Sequence, residues 1–453
     1  MVTAPTHSER DRFLVTRIIA ASAAAVLLRA VLDVSYVTYV YPHFGAFSSA
    51  GLFPSLAISG SRMAESYIVT LLLSLWLSFS LYRQWRPSGI ALVLYFTVVI
   101  LPLSSLYGLT GLSPAFVYAV AASFSLLLIM TGVLPRVKVP RPSRVFVLMG
   151  TTLLIGMSVY VYGTLLLMGG VERLSFNLLS VYEVRAEFVQ SMGPLMGYFV
   201  PWQATVANIL VLCYGLNRRN PWLIGISCIA QLAVFGMTGQ KSFLLAPVLA
   251  SGVYFVWHRR NTLSYTFGGL VLVVVGAYLV FLASGNHLPP SLFVRRLFFV
   301  PAANHLIYYD FFSQTGHPLV MLSNSFLAPF IRFPYEMPIT RVIAWAYWGR
   351  DFSPNVGYLG DAYAHFGFMG MFLFSMVLGF VLHTLDSVGR RLPPHLVAAV
   401  AAMPSMALVN SALFTSLFTH GLILTVVVVW LLRAVMEGPR RPRQSSLELN
   451  SIR

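Results

Sequence analysis

The strongest constraint on this chain is a series of apolar runs, most of them about 20 residues long, many set apart by short basic turns. A helical run of that length matches the hydrocarbon core of a bilayer. Twelve such runs lie near 13–32, 64–82, 89–107, 113–134, 145–169, 196–216, 221–238, 242–257, 263–283, 357–385, 395–415 and 419–436. Only helices or closed barrels satisfy their own backbone in lipid. Long runs without period-two alternation argue for helices. With 57% hydrophobic and 10% charged residues, and a mean hydropathy of +0.76, a soluble domain is excluded. The expected fold is an all-α polytopic membrane protein of about twelve transmembrane helices. They form one transmembrane domain over 1–437, and a disordered cytoplasmic tail follows over 438–453.

Charge orients these spans. Twenty of the 30 Lys and Arg residues fall in alternating connections, among them Arg83 and Arg86, Arg218 and Arg219, Arg259 and Arg260, and Arg390 and Arg391. Connections rich in Lys and Arg stay in the cytoplasm, so both termini are expected there. The net charge of +16 is then orientation signal and contact with anionic lipid, and no nucleic-acid partner is needed to explain it. No small-residue cleavage site follows the first run, which reads as a first helix and not a removed signal. Cys213 and Cys228 both fall inside predicted spans, where a disulfide framework is not expected.

Two external loops carry the remaining chemistry. Loop 284–356 holds Arg295, Arg296, Arg332, Arg341 and Arg350 among many aromatics. A connection that long has a function or a fold of its own. Its first part reads as a short amphipathic helix interrupted by proline. Loop 170–195 carries Glu183, Arg185 and Glu187. Lys241 lies at an external turn, where an ionisable group is a candidate functional residue. Arg29 lies near the external end of the first span and is expected to snorkel outward. Arginine's planar fork matches phosphate oxygens, and aromatic faces stack on sugar rings. Together they suggest a lipid-linked diphosphosugar as ligand. The external loops contain no Asp-x-Asp motif, so arginine rather than a metal cofactor is expected to stabilise the leaving diphosphate. Each residue also has a plainer reading. Arg295 and Arg296 can anchor an interfacial helix, Tyr308 and Tyr309 can belong to an aromatic belt, and Asp361 can serve a helix N-terminus.

The segments RRLFFVPA, YYDFF, LSNS and PNVGYLGDAYAHFGFMG, with GQKSFLL before them, resemble the C-terminal half of the bacterial O-antigen polymerase (Wzy-type) family. The likeness covers about 236 to 383; the first half matches only in hydropathy. It implies a glycosyltransferase of the bacterial inner membrane with its active site on the periplasmic face. Such an enzyme moves a growing glycan from undecaprenyl diphosphate onto a fresh lipid-linked repeat unit, and a chain-length regulator is an expected partner. The resemblance places Arg185 and Arg295 or Arg296 on the diphosphate. His317, Asp310, Asp361 and Glu187 are candidates to take the acceptor's proton. Lys241, Tyr308, Tyr309, Asn324, Arg332, Tyr335, Arg341 and Asn355 are expected to bind substrate. Rival readings are an O-antigen ligase, a membrane acyltransferase and a lipid-linked oligosaccharide flippase. The flippase needs charged groups inside the spans, and the spans read as nearly free of them.

Overall fold

A computed structural model describes residues 7–45, 53–135, 137–176, 181–316, 330 and 332–437. Among these residues the protein is helical, with no strand. Among the described residues ten helices are long and apolar enough to cross a membrane. They are α1 (Asp11–Gly45), α2 (Gly60–Arg83), α3 (Gly89–Thr110), α4 (Pro114–Val133), α5 (Arg144–Leu167), α7 (Met196–Arg218), α8 (Pro221–Thr238), α10 (Thr262–Ser284), α13 (Tyr358–Val388) and the final stretch Leu413–Glu437. Two expected spans, α9 (Lys241–Trp257) and α14 (Pro394–Ala407), are apolar but shorter. The final stretch comprises a short α15 (Leu413–Leu417) and α16 (Leu422–Glu437). Three further helices are α6 (Val181–Ser191), α11 (288–315) and α12 (Ile339–Trp348).

The outer helices require an apolar solvent. α5 buries only 11% of its apolar window, and Phe146, Leu148, Leu153, Ile155 and Val159 on it are exposed. Water would not tolerate so large a patch on a monomer, and lipid does. α3, by contrast, buries 94% of its window and lies at the centre. The core divides into a large cluster around α1, α3, α4 and α13 and a smaller one shared by α5, α6, α7, α8 and α9.

Prolines shape several of these helices. The π-helical segments are Tyr36–Gly45, Phe96–Ile100, Gln203–Ala207 and Ser291–Phe299. The first contains Pro42, and the others lie two residues from Pro102, Pro201 and Pro301. Proline lacks the N–H that an α-turn needs and crowds the preceding turn; a wider turn relieves both problems. The result matters most in α11. Leu288–Pro290, Ser291–Phe299 and Val300–Thr315 run on as one helix. Val300 N–H donates to Arg295 O, five residues back, just where Pro301 would break an α-ladder. The expected proline-interrupted surface helix is thus a continuous one, and its second half is buried from Pro301 to Tyr308.

Charge inside the spans is also more than the sequence suggested. Arg29 is fully buried and does not snorkel. It donates to Asp33 Oδ1 at 2.8 Å, Ser104 Oγ at 3.0 Å, Ser66 Oγ at 3.0 Å and Thr70 Oγ1 at 3.2 Å. Asp33 also accepts from Tyr67 at 2.8 Å and from Ser105. This pair ties α1, α2 and α3 together. At the other end of α3, Asp386 accepts from Ser88 N–H at 2.8 Å and Ser88 Oγ at 2.6 Å.

α13 is two helices joined by a sharp turn at Phe366 and Gly367. Gly367 has φ 61° and ψ −148°, a region open essentially to glycine alone. The short arm then folds back so closely that a Cβ on Gly370 would stand 2.1 Å from Ala362 O. At the start of this arm, Tyr358 N–H donates to Leu408 O at 3.0 Å, where α14 has ended. The expected continuous span 395–415 is therefore broken after Ala407.

Candidate active site

α11 positions most of the residues singled out in the sequence. At its N-terminal end, Arg295 is half-buried against the end of α1. Its guanidinium stacks 4.1 Å from the centre of the Phe44 ring and donates to Ser291 Oγ at 3.1 Å. Tyr39 donates to His287 O at 3.1 Å, and the rings of His43 and His287 lie 4.9 Å apart. Phe281 closes the group at 5.0 Å from Tyr39 and 5.4 Å from His43. Burial and the neighbouring Arg296 hold the Arg295 guanidinium below its usual value, while Tyr39 acts the other way. Arg296 itself is exposed. The structure thus distinguishes two arginines that the sequence left equivalent: one is held on an aromatic face, the other is free to sample solvent.

At the other end of α11 a cavity of about 290 Å³ is lined by Tyr309, Asp310, Tyr347, Phe116, Leu306 and Ser113, among others. The Asp310 carboxylate accepts from the Tyr347 hydroxyl and from Gln314 Nε2 at 3.1 Å. Burial, then the hydrogen bond and charge of Asp310, push the Tyr347 phenol up. It therefore stays a donor at any ordinary pH. Tyr309 stacks on Phe116 at 4.7 Å and meets Tyr363 at 5.0 Å. Arg295 and Asp310 are fifteen residues apart on one helix, about 20 Å at 1.5 Å per residue.

The remaining candidates are dispersed. Tyr308, next to Tyr309, is fully buried and does not line this cavity. Asp361 is buried in the first turn of α13, where Oδ2 accepts from Leu413 N–H at 3.1 Å. Arg185 is exposed on α6, which packs on α8 in the smaller core cluster; it is not brought to the Arg295 group. Glu187 is exposed on the same helix. Lys241 opens α9 and is half-buried. Arg341 pairs with Asp351 at 3.1 Å, both about half exposed. Arg332 is exposed, Tyr335 packs against Phe333, and the exposed Asn355 accepts from Asn304 Nδ2 at 2.8 Å through its carbonyl. His317 and Asn324 lie outside the described residues.

Sequence reasoning missed Tyr39, Phe44, His43 and His287 as the surroundings of Arg295. The aromatic density of YVTYVYPHFG was visible, but nothing in the sequence joins it to a residue 250 positions later. His365, for which the sequence favours a structural role over a catalytic one, lies 3.5 Å from Asp361. The i,i+4 spacing of Asp361 and His365 was the available signal. Among the described residues no three His, Cys, Asp or Glu side chains are grouped as metal ligands. No protein-family model, no curated protein and no solved structure matches this chain.

Proposed function

We propose that this protein is a membrane glycosyltransferase that polymerises lipid-linked oligosaccharide repeat units, the donor and acceptor both carried on undecaprenyl diphosphate. The observation that carries the reading is the layout of α11: an arginine held on an aromatic face at one end, and a cavity with a carboxylate and two tyrosines about 20 Å along the same helix. An oligosaccharide on a lipid diphosphate is extended and charged at one end, and it matches such a layout. In this reading Arg295 holds the diphosphate and stabilises the charge released as the anomeric carbon–oxygen bond breaks. Arg296, exposed beside it, draws anionic substrate in. Tyr309, Tyr347 and Asp310 bind sugar hydroxyls. In this reading both termini lie in the cytoplasm and α11 faces the outer side of a bacterial inner membrane, in keeping with the basic connections. A chain-length regulator is a partner in keeping with this role.

Charged groups inside the spans, Arg29 and Asp33 among them, remove the objection to a transporter that their expected absence raised. Yet the Arg29–Asp33 pair is bonded on every side, so it ties helices together and does not line an open path.

Reconstitution of the purified protein with lipid-linked repeat units in liposomes tests the proposal. The expected product is a ladder of glycans still on the lipid diphosphate, and Arg295→Ala lowers its formation about a hundredfold. Movement of single units across the bilayer without any new glycosidic bond would identify a flippase instead.

A further inference from the structure

A cluster beside the cavity gathers several buried polar atoms that have no hydrogen-bond partner. Buried polar groups in folded proteins almost always have a partner. Several other polar sets obey this rule, although Ser22, Ser78, Ser123, Trp257 and Ser405 each carry one buried polar atom without a partner. Arg29, Asp33 and Asp386 are bonded as described. In the smaller cluster Gln203 donates to Asn208 Oδ1 at 2.8 Å, Asn208 donates to Gln231 Oε1 at 2.9 Å, and Gln231 donates to Phe243 O at 2.7 Å. Around the short arm of α13, by contrast, Asp361 Oδ1, both ring nitrogens of His365, the Tyr308 hydroxyl and Asn304 Oδ1 are all buried without a hydrogen-bond partner. Tyr308 feels Asp361: burial first, and then the carboxylate charge, push its phenol up. His365 Nε2 stands 3.5 Å from Asp361 Oδ1, slightly beyond hydrogen-bond reach.

Four side chains from α11 and α13 so arranged are poor structural glue, because each orphaned group costs stability. Such a cost persists where the groups have work to do. The Asp361 carboxylate is fixed by Leu413 N–H at Oδ2, leaving Oδ1 toward the imidazole. The ring of His365 lies 5.9 Å from that of Phe366 and 5.7 Å from that of Phe374. The cluster lies one side chain from the cavity: Tyr363, placed between Asp361 and His365 in the chain, meets the cavity-lining Tyr309. The Gly367 turn follows His365 directly in the chain, and there Phe366 and Phe368 reach the surface.

We propose that His365 is the base of the transfer reaction and that Asp361 is its positioning residue; this rests on the glycosyl transfer proposed above. The acceptor hydroxyl oxygen forms the new bond to the donor's anomeric carbon, and the bond from that carbon to the phosphate oxygen breaks with its electron pair going to the diphosphate. The hydroxyl proton passes to His365 Nδ1. Nε2–H donates to Asp361, whose charge stabilises the imidazolium. The proton on His365 is then released to water or to the diphosphate product. The hairpin must move at the Gly367 turn to admit the hydroxyl.

The test uses the full-length protein in liposomes with lipid-linked repeat units. His365→Ala is expected to slow extension by about a hundredfold or more, and added imidazole to restore at least about tenfold of that loss. Asp361→Asn is expected to lower kcat with little change in KM for the acceptor. Rescue by imidazole is something a merely structural histidine would not show. If His365→Ala extends glycans within about threefold of the parent protein while Arg295→Ala does not, the assignment of the base is wrong and the transferase reading stands. An inactive His365→Ala variant that imidazole does not restore, with a lowered melting temperature, also overturns it and makes the residue structural. No extension by the parent protein overturns the transferase reading itself.

Discussion

Arg29 shows how a single charged residue is misjudged when its neighbours are unknown. Near a span's end, snorkelling is the usual outcome for an arginine. Here α2 and α3 supply serine and threonine hydroxyls at matching depth, and Asp33 follows one turn later, so full burial with every nitrogen bonded wins. Breaking one side of a buried pair leaves an uncompensated charge, which costs more than removing both. Asp33→Leu is therefore expected to destabilise the protein by about 3–5 kcal/mol, and Arg29→Met with Asp33→Leu by clearly less. Thermal unfolding in detergent measures this, and equal losses in single and double variants would contradict it. Arg295 is the functional counterpart. Lysine keeps the charge but has no planar face to lay on Phe44, so Arg295→Lys is expected to slow extension about tenfold. Arg296→Ala, at an exposed position, is expected to weaken encounter with substrate at high salt no further than salt alone does. Rates measured across a salt series separate the two.

At the level of elements, the apolar runs gave away the helices, because lipid allows a span little else. All twelve runs contain helix where expected. What stayed hidden were the places where helices bend or stop. Pro289, Pro290 and Pro301 suggested a broken surface segment, yet a π-helical stretch carries α11 past Pro301 and into the core. Runs 357–385 and 395–415 read as plain spans, and both are interrupted: one by a left-handed glycine, the other where α14 meets the start of α13. Such breaks depend on contacts between distant segments, which periodicity does not record. The hairpin in α13 is the most demanding of them. Gly370→Ala would force a Cβ onto the Ala362 carbonyl, and backbone has little room to yield. A loss of about 1–3 kcal/mol and of extension activity is expected. A variant that melts with the parent protein would show that the two arms are not so tightly apposed.

For the whole molecule, composition and charge pattern were enough to recognise a membrane-embedded helical protein, and the lipid-exposed face of α5 agrees with them. The candidate site was legible only in part. Arg295, Tyr309 and Asp310 lie on one helix, as their spacing in sequence allowed. The aromatic cradle from α1, the placement of Arg185 in another cluster and the burial of Tyr308 are products of tertiary packing. The orientation itself can be checked. In a background with Cys213→Ala and Cys228→Ala, cysteines placed at Arg62 and Arg391 are expected to react with an impermeant reagent from opposite sides of sealed cells or inverted vesicles. Reaction of both from one side would reverse or break the topology. The central claim is that the chain joins repeat units at the outer face, with Arg295 on the diphosphate. Its most direct test is to delete the gene in its own host and size the lipid-linked glycans, then complement with the parent protein and with Arg295→Ala. The account predicts that single repeat units accumulate on the outer face and that only the parent protein restores long chains. Long polymer persisting on the lipid diphosphate after deletion would contradict it.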